Sequence, residues 1–239
     1  MMKLKHLVVL AASTAMMPLA SATTITFDGL DNGTIVDDEY FADYGITFNG
    51  YNADKNENNL AVVFDSSSSN TQDSDLESPF ANINDPSLGT SNPGNVLVIH
   101  ENPSTCDALT CTDPDDEGSR PAGTFTIDFS EAVTLNSIDF FDIELEEASD
   151  NNSINLFDIN GDEISEDTFY TPSTGGNNTW DRLLFDIVGV YSIEINLNGS
   201  GAISNLDFDS ATVSVPEPST IAIFGLALLG FAGASRRKA

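Results

Sequence analysis

Positive charge is what this chain has least of. Its 239 residues hold 8 Lys and Arg against 38 Asp and Glu, a formal net charge of −30. Five of the eight basic residues sit at the two ends: Lys3, Lys5, Arg236, Arg237 and Lys238. Between residues 23 and 215 only Lys55, Arg120 and Arg182 remain, against 37 acidic groups. Nucleic acid cannot be held by phosphate neutralisation without a basic surface, so that partner class is excluded. Docking of the middle of the chain on an anionic membrane is excluded on the same ground. Histidine is nearly as scarce, with His6 and His100 only. That removes His-rich zinc chemistry. A Ser-His-Asp hydrolase would have to use His100, and no G-x-S-x-G element supplies its nucleophile. Cysteine is limited to Cys106 and Cys111, and tryptophan to Trp180.

What is present argues for a folded domain with a leader and a tail. Hydrophobic residues make up 40% of the chain and include 15 Phe, enough for one core over roughly 190 residues. Residues 1–22 read as a secretory signal peptide. Lys3 and Lys5 precede an apolar stretch, and Ala20-Ser21-Ala22 offers small residues for cleavage at Ala20 and Ala22. The mature chain is then expected to begin at Thr23, with an ectodomain over 23–209 and a linker and tail over 210–239.

The tail has three parts in order. Val215-Pro216-Glu217-Pro218 opens a motif that runs to Thr220, an apolar segment spans 220–234, and Arg236-Arg237-Lys238 lies in the basic end, 235–239. Fifteen helical residues reach about 22 Å, short of a hydrocarbon core of about 30 Å. The span is marginal, as a temporary membrane anchor requires, and the basic end is expected to stay cytoplasmic. This tail resembles the PEP-CTERM sorting signal of Gram-negative bacteria. The resemblance implies recognition by an exosortase, a membrane Cys transpeptidase, with processing near Pro216-Glu217-Pro218. It also implies export to the cell envelope, then the cell surface or extracellular matrix, in association with exopolysaccharide and biofilm.

The middle alternates apolar and polar residues with the period of two that marks half-buried strands. Thr124–Phe129 and Tyr191–Leu197 are the cleanest cases, and Val133–Phe140 continues the pattern with a bulge expected near Asn136-Ser137. Further strands are expected at Thr24–Phe27, Ile46–Phe48, Leu60–Phe64, Asn95–His100, Ile154–Ile159, Trp180–Phe185 and Ser204–Phe208. Asn160-Gly161 predicts a two-residue hairpin turn, and Asp38–Tyr44, ended by Gly45, predicts one helical turn. About ten short strands fit an all-β, jelly-roll-like β-sandwich. Ser66–Pro93, Asn102–Pro121 and Thr171–Asn178 read as loops. The middle is also similar, more loosely, to β-rich ectodomains found with this kind of tail, which mostly lack an assigned activity. That similarity is carried by Phe27-Asp28, Gly45-Ile46-Thr47-Phe48, Asp142-Ile143-Glu144 and Asn205-Leu206-Asp207-Phe208.

Candidate chemistry is thin. In an exported chain Cys106 and Cys111 are expected to form a disulfide, with a metal pair or a reactive thiol as the alternative. Repulsion among so many carboxylates would be relieved by a hard cation, and calcium is the candidate cofactor. Asp113, Asp115, Asp116 and Glu117 in one loop, with Asp142 and Glu144 alternating along a strand end, are its expected ligands. A solvated acidic surface is the alternative. Trp180, then Tyr51 and Tyr170, are candidates for stacking on a sugar, unless Trp180 belongs to the core. The reading is a non-enzymatic envelope or matrix protein with a structural or binding role. A carbohydrate-binding module is the runner-up and a carboxylate-based glycoside hydrolase trails it.

Overall fold

The computed structural model describes residues 21–210, apart from 69, 70, 72, 149–151 and 165–167. Among the described residues eleven strands run in the order β1 (Ser21–Ile25), β2 (Ile46–Asn52), β3 (Ala61–Asp65), β4 (Phe80–Ala81), β5 (Thr90–Ser91), β6 (Asn95–Ile99), β7 (Gly123–Phe141), β8 (Ser153–Phe157), β9 (Phe169–Tyr170), β10 (Trp180–Leu197) and β11 (Ala202–Ser210). One helical turn, α1 (Phe41–Tyr44), ends where the Gly45 N–H donates to the Phe41 carbonyl at 2.9 Å. The fold is all-β, a jelly-roll-like sandwich, with a wholly antiparallel nine-stranded sheet ordered β3-β6-β11-β7-β10-β8-β9. On that path β1 adds to β11 and β2 adds to β7, while β4 and β5 form a separate pair.

Two long strands carry the architecture. β7 pairs with β10 along its whole length but changes its other neighbour, from β2 over Gly123–Phe129 to β11 over Val133–Phe141. The expected bulge is there: Asp207 pairs with Ser137 and Phe208 with Leu135, leaving Asn136 as the extra residue. Sequence patterning divided β7 and β10 in two, because bulges interrupt the alternation. In β10 the register shifts around Asp186, whose φ of 54° breaks the period although pairing continues.

The inward faces meet in one core. Phe27, Phe48, Phe125, Ile127, Leu135, Ile193, Ile195 and Phe208 belong to it, with Phe129 and Phe208 ring centroids 5.3 Å apart. β3 and β6 do not alternate, because both of their faces are buried. Ala61, Val63, Leu97 and Ile99 face the main core. Val62, Phe64, Val96 and Val98 face a second one, completed by Leu76, Phe80, Cys111, Phe141 and Trp180. Ser66–Pro93, expected as a loop, carries the short β4–β5 pair, and Asn102–Pro121 is irregular apart from one turn of 3-10 helix; both serve as the lid of this second core.

The hairpin differs from expectation. Only Gly161 has positive φ, at 77°, and Asn160 does not. Asp158 N–H bonds Asp162 and Gly161 N–H bonds Asp158, so the turn is a three-residue loop over 159–161. The Asp158 carboxylate accepts from Asn160 and Asp162 N–H and holds it closed.

Ser21 and Ala22 are the first residues of β1 and pair with Ser210 and Asp209. Cleavage after Ala22 would leave Thr23–Ile25 on β11. The rest of the signal segment, including Ala20, lies outside the described residues. So does the tail, including Val215, Pro216, Glu217, Pro218 and the apolar span. Among the described residues no helix is long and apolar enough to cross a membrane.

Candidate functional site

Three segments far apart in sequence bring carboxylates together beside the second core. Asp115 and Asp116 lie where the chain returns antiparallel to the end of β6. Glu117 N–H donates to Ile99, and Glu101 N–H to Asp115. His100, fully buried, fastens this return with Nδ1 3.1 Å from the Asp115 carbonyl and Nε2 2.9 Å from the Thr105 hydroxyl. Asp73 comes from the stretch after β3. Oxygens of Asp73, Asp115 and Asp116 all lie within 4.8 Å of one another. Asp142, the residue just past β7, is 2% exposed, and Asp116 is its strongest charged neighbour.

The electrostatics follow from burial without counter-charge. Burial, then the charges of Asp116, Glu144 and Asp73, pushes the Asp142 carboxyl up to about 9. Burial, then Asp73, pushes Asp116 up to about 8, although Gly201 N–H donates to its Oδ2. Asp115 rises to about 6 from burial, Asp73 and Glu101, and Asp73 is raised chiefly by burial. Among the described residues, the buried side-chain oxygens left without a hydrogen-bond partner are Asp73 Oδ2 and Asp142 Oδ1.

The three cations are committed elsewhere. Arg182 binds Asp139 through Nε at 2.6 Å and Nη2 at 2.9 Å. Arg120 lies 3.1 Å from Glu147 Oε1. Lys55 pairs with Asp54 at 2.5 Å and reaches Glu117 at 3.8 Å.

Of the six expected metal ligands, the structure brings Asp115 and Asp116 together, leaves Asp142 outside their group as a charged neighbour of Asp116, and sends three elsewhere. Asp113 is exposed and outside the group. Glu117 turns to Asn52 Nδ2 at 2.8 Å and Ser119 N–H at 2.7 Å. Those bonds and Lys55 hold its carboxyl below the usual range although burial opposes them. Glu144 does not share a strand face with Asp142, because β7 stops at Phe141 and Asp142 takes φ 57°. Its Oε2 accepts from Ser200 at 3.1 Å. Its hydrogen bond with Glu147 holds Glu144 low, while burial and Glu144 push Glu147 up. Asp73 was missed: it sits in a Ser-, Asn- and Asp-rich stretch with no motif, and only the fold brings it to the site.

Cys106 and Cys111 form a disulfide, S–S 2.06 Å, so neither sulfur is a metal ligand or nucleophile in this structure. Trp180 is not a sugar platform. It is 5% exposed and stacks on Phe141 at 6.5 Å between centroids, and its indole N–H donates to the Gly89 carbonyl at 3.2 Å.

Tyr51 fares differently. Alternation along β2 turns it away from the core, and it borders a cleft of ≈ 420 Å³ with Thr124, Asn152, Asn196 and Asn198. A Cβ at Gly123, in the floor, would come 1.9 Å from the Tyr51 carbonyl oxygen, so the close approach of β2 and β7 there requires glycine.

No curated protein matches the chain. Among solved structures it is similar to a Streptococcus pneumoniae fucose binding module at 16% identity and TM-score 0.25, over 38% of this chain and 65% of that one. It is similar to discoidin II from Dictyostelium discoideum at 10% identity and TM-score 0.35, over 80% of this chain and 63% of that one. With TM-scores this low, neither bears on the site. Residues 214–238 match the PEP-CTERM protein-sorting motif, the span that holds Pro216-Glu217-Pro218 and Arg236-Arg237-Lys238; the chain carries this motif, which marks an exported protein sorted to the cell envelope.

Proposed function

We propose that the ectodomain is a non-catalytic binding module of the cell surface or matrix that holds neutral glycan of the exopolysaccharide in the Tyr51 cleft. One observation carries this reading: none of the nine lining residues is Asp, Glu, Lys or Arg, in a domain crowded with carboxylates. Tyr51 offers a ring, and Thr124, Asn196 and Asn198 offer hydroxyl and amide groups, which suits a ligand rich in hydroxyls and free of charge. Thr124 Oγ1 donates to Asn196 Oδ1 at 2.8 Å, and the Asn196 amide donates to the Ser153 carbonyl at 2.9 Å, so the cleft wall is fixed before any ligand arrives. The Asn198 side chain makes no hydrogen bond among the described residues and is free to recognise one.

Exosortase processing of the tail would release this module from its membrane anchor. Intact mass of the protein from producing cells should show a chain that ends near Pro216-Glu217-Pro218. A chain still ending in Ala239 would contradict the routing. A glycan-array screen of the full chain, followed by titration with oligosaccharides of the cells' own exopolysaccharide, tests the cleft. Tyr51→Ala should weaken binding about tenfold or more while the melting temperature holds, because Tyr51 lies outside both cores. Retained affinity in Tyr51→Ala, or no glycan bound, would overturn the assignment.

A further inference from the structure

We infer that Asp73, Asp115 and Asp116, with the buried Asp142 as a charged neighbour, form a calcium site that staples the lid of the second core. The ligands are all carboxylate oxygens, the donor type a hard cation takes. They come from irregular loops, which suits the adaptable six- to eight-oxygen shell of calcium better than the strict octahedron of magnesium. Two observations stand apart from the cluster itself. Asp142 is 98% buried, given its 2% exposure, and its Oδ1 has no hydrogen-bond partner. Every Lys and Arg of the described residues is paired with another carboxylate. A buried acid with an orphaned oxygen and acids as its charged neighbours lacks a counter-charge among the described residues.

The site is independent of the glycan cleft. Asp142 follows Phe141, Asp73 precedes Leu76, and Asp115 follows the loop closed by Cys106–Cys111. Phe141, Leu76 and Cys111 all belong to the second core. A bound ion would therefore join the segments of 73 and 115–116, which cover the outer face of β3 and β6. The other acidic triplet, Asp37, Asp38 and Glu39, is fully exposed. Its carboxylates already accept backbone N–H bonds, Asp37 from Asp38 at 2.7 Å and Glu39 from Asp37 at 2.7 Å.

The test uses the full chain stripped with chelator and titrated with calcium chloride by calorimetry, with melting curves alongside. One saturable event is expected, with the melting temperature raised by about 5–10 °C at calcium far above Kd. Asp116→Asn should weaken calcium binding about tenfold or more, and Asp37→Asn/Asp38→Asn should leave it unchanged. Should Asp116→Asn fail to fold, Asp73→Asn, at a half-buried position, decides. No heat and an unmoved melting temperature in millimolar calcium would overturn the proposal. So would wild-type affinity in Asp73→Asn, loss of the response in the exposed-triplet variant, or an equal response to magnesium chloride.

Discussion

Asp139 and Asp142 stand three residues apart, either side of the end of β7, and are buried alike, 1% and 2% exposed. Their surroundings are opposite. Asp139 receives the Arg182 guanidinium through two nitrogens and the Asn205 amide at 2.8 Å, so both its oxygens are used. Asp142 is flanked by acids, and its Oδ1 has no partner. A buried carboxylate with a matched guanidinium is satisfied within the chain, whereas one among like charges must take a proton or a metal ion. With 3 cations available to 37 acids between residues 23 and 215, few carboxylates can be of the first kind.

The largest effect should come from breaking the satisfied partner. Arg182→Ala leaves Asp139 buried and uncompensated, and should cost about 3–5 kcal/mol in chemical denaturation. A loss below about 1 kcal/mol would show that Asp139 does not depend on its cation. Trp180→Ala comes next. It removes an indole that packs on Phe141 and lies 5.8 Å beneath the Arg182 guanidinium, and should cost about 3 kcal/mol. An unchanged melting temperature with lost glycan binding would restore Trp180 as a platform.

The acid cluster should give chelated protein an unusual pH profile. Asp115, Asp116 and Asp142 titrate in the folded chain at about 6, 8 and 9, above the ordinary aspartate value of 3.8. The folded state thus binds more protons than the unfolded one between these limits, so stability should fall as pH rises from about 4 through 9. Denaturant midpoints in chelator at pH 5 and pH 8 check the sign, and a higher midpoint at pH 8 would contradict it. The smallest effect belongs to the disulfide. Its loop spans five residues of sequence, and Cys106→Ser/Cys111→Ser should cost about 2 kcal/mol or less.

Much of the fold was legible because alternation is a local signal. Thr124–Phe129 and Tyr191–Leu197 lie in β7 and β10, where one face is core and the other is not. Legibility failed where local rules met tertiary ones. The second core shows in no pattern, because β3 and β6 are apolar on both faces and their lid is made of loops. Asp142 was placed on one face with Glu144 by extending the strand period one residue too far, past a left-handed turn. The grouping of Asp115 and Asp116 could be read from a local acidic run. Asp73 could not, since its partners lie about forty residues or more away. Trp180 drew attention as the lone indole, yet strand periodicity cannot say which face a covering loop will bury.

The contrast between the two aspartates is tested most directly by their neutral isosteres in chelator. Thermal melts of Asp139→Asn and Asp142→Asn should move in opposite directions from wild type. Asp139→Asn should fall, because Arg182 loses its counter-charge. At pH 7 Asp142→Asn should rise, because the fold no longer has to hold this carboxyl protonated far above its ordinary range. A fall in Asp142→Asn as large as that in Asp139→Asn would show that Asp142 is already compensated within the chain, and the distinction drawn between them would fail.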